Sequence, residues 1–152
     1  MSWRIFEKWF NVAPWKDAEY ITDNSGEKFW IYWRDRFEHA RELHVWYRGH
    51  WVGVVNSLHE DDNSLTLADI IIFERYNLRK RSLGRAMMKE VIRWAKEHHI
   101  KHIWGFIKSH DGSTNEYLQE WYKRQGFEVY EAKPGVFHIL LKLQGEQNGV
   151  SR

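Results

Sequence analysis

The run LTLADIIIFERYNLRKRSLGRAMMKEVIRWAKEHH, residues 65–99, decides the fold, because it changes character twice. Leu65 to Phe73 is almost continuously apolar, the pattern of a central strand covered on both faces. A basic stretch follows, with Arg79, Lys80, Arg81 and Arg85 crowded around Gly84. Leu83, Met87, Val91, Trp94 and Ala95 then recur at helical spacing, while Lys89, Arg93, Lys96 and Glu97 fall elsewhere on the same helix. HIWGFI, residues 102–107, reads as a short strand. Strand, helix and strand in that order make a crossover unit, as a rule parallel and right-handed.

The basic stretch sits where the helix begins. A helix N-terminus offers backbone N–H groups without intrahelical acceptors and carries a partial positive charge. Gly84 removes a side chain, so an anion can approach the backbone, and Ala86 is the next smallest residue. With full charges from Arg79, Lys80, Arg81 and Arg85, these are the parts of a phosphate cradle. Taken alone, the same residues also suit a solvated basic helix start whose glycine serves packing.

Composition limits the partners. The formal net charge of 152 residues is only +2, so the basic cluster is local and argues against a nucleic-acid coat. Aromatic residues make up 16%, including ten tryptophans, enough for a packed core. The length suits one domain over residues 1–143, with a polar tail at 144–152 expected to fray. The absence of cysteine excludes disulfides, thiolate metal sites and a cysteine nucleophile. No apolar run reaches membrane-spanning length, and MSWRIFEKWF lacks a signal-peptide core, so a soluble cytoplasmic protein is expected.

Upstream, Trp3, Phe6 and Phe10 have helical spacing, and Pro14 suits the opening of a short helix over residues 15–21. TDNSG, residues 22–26, reads as a turn. FWIYW, residues 29–33, is rich in strand formers, although a helix over 28–40 also fits. Residues 43–47 and 51–55 read as a hairpin around Arg48-Gly49-His50, followed by a loop over residues 59–64. Downstream, STNE, residues 113–116, fits a capping box. The helix it opens is expected to run to about Gln125, with Gly126 as its left-handed terminator. Residues 127–130 and 136–143 read as strands joined by a turn at Lys133-Pro134-Gly135.

RSLGRA, residues 81–86, fits Arg/Gln-x-x-Gly-x-Gly/Ala, and about 30 residues on comes NEYLQEWYKRQGF, residues 115–127. Asn115, Leu118, Tyr122, Gly126 and Phe127 stand at the spacing of a second motif of the GNAT N-acetyltransferases, and RSLGRA resembles that family's pyrophosphate loop. Ala86 departs from the commoner glycine. The resemblance covers about residues 65–143. It implies an α+β domain with a mixed, mostly antiparallel sheet flanked by helices. It also implies acetyl-CoA as cosubstrate, an amine acceptor and no metal. CoA's pyrophosphate would lie on Arg81, Ser82, Leu83, Gly84, Arg85 and Ala86, with Arg79 nearby. The pantetheine arm would pair near Phe73 to Tyr76, in the gap between that strand and residues 102–107. Asn115 and Tyr122, seven residues apart, share one helix face, so one can hold the cofactor while the other reaches its sulfur.

Attack of an amine on a thioester needs a neutral amine, a stabilised oxyanion and a partner for the leaving thiolate. Tyr122 suits the last task as a proton donor. Asp69 and Glu74 are the carboxylates available as base, and either also suits a surface charge. A backbone N–H of the strand before the loop is the expected oxyanion donor. Ser109-His110-Asp111 are too close in sequence to align as a triad. His98 and His99 suit a favourable charge at a helix C-terminus. Glu60, Asp61 and Asp62 suit a solvated loop. Trp30, Trp33, Trp46 and Trp51 suit the core, an acceptor pocket or a homodimer contact. A non-catalytic module that binds CoA would keep residues 81–86 without needing Tyr122, and a nucleic-acid binder would show steep salt dependence.

Overall fold

A computed structural model describes residues 11–36, 39–73, 82–107 and 115–143. The strands are β1 (Glu19–Thr22), β2 (Lys28–Asp35), β3 (Ala40–Tyr47), β4 (His50–Asp61), β5 (Ser64–Ile72), β6 (His102–Phe106), β7 (Glu128–Lys133) and β8 (Val136–Lys142). Two helices, α1 (Leu83–Glu97) and α2 (Asn115–Arg124), complete the described elements. The strands hydrogen-bond in the order β1-β2-β3-β4-β5-β6-β8-β7. This is the α+β, mostly antiparallel sheet expected, with the parallel β5–β6 pair on either side of α1 in sequence. Among the described residues no helix is long and apolar enough to cross a membrane.

Contacts divide the chain into two compact units, one of residues Met1–Asn56 with Ile70–Val91, the other of Ser57–Asp69 with Ile92–Arg152. In the first unit, β2 alternates against β3 in antiparallel register, Ile31 opposite Val45 and Trp33 opposite Leu43. Phe29, Ile31, Leu43, Val45 and Tyr47 are buried, and so are Leu83, Met87 and Val91 of the α1 stripe. The stripe is therefore the core face the sequence marks. Trp33 Nε1 donates to the buried Glu90 carboxylate on α1 at 2.9 Å, which ties β2 to the helix. Arg48 and Gly49 both have positive φ, the two-residue turn whose twist matches a right-twisted hairpin.

Three expectations need correction. Residues 15–21 do not form a helix. The chain bends at Pro14–Asp17, and β1 pairs with β2 instead, with the Tyr20 and Trp30 rings 5.6 Å apart edge to face. Tyr, Ile and Thr are strand formers, and the available partner edge outweighs the local helical pattern. The loop over 59–64 shrinks to a turn at Asp62-Asn63, because the Asp61 carboxylate accepts from the N–H groups of Asn63 and Ser64 at 2.8 and 3.0 Å. The strand reading of residues 28–35 holds against the helical one. Leu65 and Leu67 are buried as a covered strand requires, but Ala68 to Ile72 are only half-buried.

In the second unit both helices close with the same device. At α1, the Ile100 N–H reaches Ala95 O at 2.9 Å and the His99 N–H reaches Lys96 O at 3.1 Å. These are the paired bonds of a Schellman terminus. His99 supplies the left-handed residue, φ 60°, while the His98 ring stacks 4.0 Å from Trp94. Their role is thus in the helix end and its packing, beyond the charge effect expected. At α2, Gly126 takes φ 100° and Phe127 N–H reaches Tyr122 O at 3.1 Å. Ser113, Thr114 and the tail at 144–152 lie outside the described residues.

Candidate active site

The second unit holds the pairing of β5 with β6. The parallel register runs from Ser64 opposite His102 to Leu67 opposite Gly105. β5 then continues to Ile72 and β6 ends at Phe106. Gly105 stands at that last pair, where a Cβ would come within 2.6 Å of Leu67 O. No side chain fits so close to a backbone oxygen, so glycine is required for the two strands to pair up to this point.

Tyr122 is aimed by the end of α2. In a Schellman terminus the residue after the left-handed position packs on the residue five before it. Here Phe127 meets Tyr122 with ring centroids 5.5 Å apart, and Trp121 flanks it at 5.0 Å. The spacing of Tyr122, Gly126 and Phe127 is thus a single mechanical unit that fixes one phenol. Burial pushes the Tyr122 hydroxyl up to about 12, with the negative charge of Asp69 adding to the effect. Asp69 and Tyr122, selected separately from the sequence, therefore lie within electrostatic reach of each other.

The first unit holds the start of α1. Ser82 O accepts the Ala86 N–H at 3.1 Å, the first bond of the helix. Leu83 and Ala86 are buried, so their side chains serve the core, and the Ala86 N–H is already taken by the helix. Gly84 is half-buried and Arg85 exposed. Ser82 has φ 65°, a left-handed backbone that costs a non-glycine residue about 1 kcal/mol. Asn24 Nδ2, from the turn between β1 and β2, donates to Ser82 Oγ. Nothing in the sequence signals that contact. Phe73 is half-buried, its N–H donates to Val52 O at 2.9 Å, and its ring meets Trp51 at 5.0 Å. Asn115 is the first residue of α2. Glu74, Tyr76, Arg79, Lys80 and Arg81 lie outside the described residues. Among the described residues no three histidine or carboxylate side chains gather as a metal site.

The profile of the acetyltransferase (GNAT) family matches residues 3–127. Among solved structures, the chain is similar to a GNAT family acetyltransferase from Elizabethkingia anophelis with acetyl-CoA bound. That likeness has 14% identity and a TM-score of 0.57, over 69% of this chain and 77% of that one. It is similar to the N-acetyltransferase PseH of Campylobacter jejuni, with 15% identity and a TM-score of 0.57 over 71% of each chain. The ribosomal-protein-S18-alanine N-acetyltransferase from Escherichia coli shares 18% identity and a TM-score of 0.58, over 73% of this chain and 75% of that one. At such identities the likeness shows the fold. No curated protein matches the sequence.

Proposed function

The chain belongs to the acetyltransferase (GNAT) family, and from that premise we propose that it moves the acetyl group of acetyl-CoA to a primary amine by direct attack. The observation that carries the reading is Tyr122, held by the α2 terminus in the same unit as the β5–β6 pairing and pushed up to about 12. Two solved structures of the same fold have acetyl-CoA bound, that from Elizabethkingia anophelis and one of PseH.

In this reading the N–H groups of residues 82–85 face the diphosphate of CoA, with Arg79, Arg81 and Arg85 around it. Asn115 holds the cofactor, and the pantetheine arm follows the β5 end toward Tyr76. The acceptor nitrogen forms its bond to the thioester carbon, the C–S bond breaks, and the sulfur leaves with the electron pair. Tyr122 donates a hydrogen bond to the sulfur as charge gathers there and is the proton donor to the leaving thiolate. The acceptor attacks as the neutral amine, and the surplus proton of its nitrogen passes to Asp69, with Glu74 the alternative base, and from there to solvent. The acceptor and the cytoplasmic setting are part of the same proposal.

Calorimetric titration of acetyl-CoA followed by thiol release with a panel of amines tests it. Tyr122→Phe should bind acetyl-CoA as the wild type does and turn over more slowly. Tight binding with no acceptor-dependent release across a broad panel would replace the enzyme with a CoA-binding regulator.

A further inference from the structure

Asn24 lies 58 residues from Ser82, in a segment whose sequence reads only as a turn. Its turn is unusually well tied. The buried Asp23 carboxylate accepts from Ser25 N–H, Ser25 Oγ and Glu27 N–H at 2.9, 2.6 and 3.0 Å. Backbone bonds join Gly26 N–H to Asp23 O and Asp23 N–H to Glu27 O, and Gly26 takes φ 84°. A turn with this many internal bonds presents its tip residue in one place. Asn24 is that residue, and its amide donates to Ser82 Oγ.

Ser82 is where α1 is set in direction. Its φ of 65° turns the chain into the helix, and its carbonyl takes the first helical bond. A serine holds such a backbone only when its surroundings over-determine it. The Asn24 bond is one such constraint, made to the side chain of the strained residue itself. The polarity of that bond also matters. The Ser82 hydroxyl accepts from Asn24, and a hydroxyl in that role has a hydrogen of its own to donate, the polarity a phosphate oxygen requires.

We propose that Asn24 is a positioning residue for the CoA diphosphate: it fixes the backbone and hydroxyl of Ser82, and through them the direction of the N–H groups that open α1. This rests on the acetyl-CoA reading above, and Asn24 itself need not touch the cofactor.

A double-mutant cycle on the full chain tests it, with acetyl-CoA affinity read by calorimetry and urea midpoints read in parallel. Asn24→Ala should weaken acetyl-CoA by about tenfold. In the Ser82→Gly background, where glycine adopts the left-handed backbone unaided, the same change should cost less than about twofold. A purely structural role would lower the urea midpoint and leave the affinity unmoved. Unchanged affinity of Asn24→Ala, or an equal loss in both backgrounds, overturns the inference. Failure of the wild-type chain to bind acetyl-CoA overturns the cofactor reading, and the inference with it.

Discussion

Tyr122→Phe separates burial of the phenol from its chemistry. In the fold the hydroxyl titrates at about 12, against about 10 when unfolded. The raised value means that the fold favours the neutral form. Its contribution is whole below about pH 10 and is lost as pH rises through about 12. The difference in unfolding free energy between wild type and Tyr122→Phe should stay flat below about pH 9. It should then move against the wild type by about 1.4 kcal/mol at about pH 11, toward a limit near 2.7 kcal/mol. Urea unfolding of both proteins across that range isolates the term, because every other lysine and tyrosine is common to the pair. Turnover supplies the second readout. Loss of a hydrogen bond to a diffuse thiolate should lower kcat by about tenfold to a hundredfold at neutral pH with acetyl-CoA affinity unchanged. A stability difference flat to about pH 11.5 would refute the burial and charge argument. A kcat equal to wild type would refute the hydrogen bond to sulfur.

Gly105→Ala puts a Cβ 2.6 Å from Leu67 O, so β5 and β6 must part where their register ends, and the urea midpoint should fall by the equivalent of about 1–3 kcal/mol. His99→Gly should stabilise the chain by about 0.5–1 kcal/mol in thermal unfolding, since glycine takes φ 60° without strain. Burial raises the Glu42 carboxyl, but hydrogen bonds from His44 at 2.8 Å and Arg36 at 3.2 Å outweigh it and leave the group below its ordinary 4.5. A depressed carboxylate contributes stability above its unfolded value and loses it as pH falls through the folded one. Glu42→Gln should therefore lower the urea midpoint near neutrality, and the gap should narrow as pH falls through the depressed value of the carboxyl in acid unfolding.

The sequence by itself determined the strand–helix–strand unit, because Leu83, Met87, Val91 and Trp94 must bury one helical face and a run such as LTLADIIIF has no stable solvated form. It also determined the α2 terminus, since glycine adopts the left-handed backbone at 126 at least cost and the next residue then lands on Tyr122. Those features are local, and local spacing encodes them. The strand at Glu19–Thr22 was not legible, because its partner edge on β2 exists only after folding. Nor was the shift of Tyr122, which depends on desolvation and on a carboxylate 53 positions away at Asp69. The Asn24–Ser82 bond is of the same kind. Hydrogen bonds and charges between distant residues leave no periodicity in the chain, so tertiary structure alone decides them.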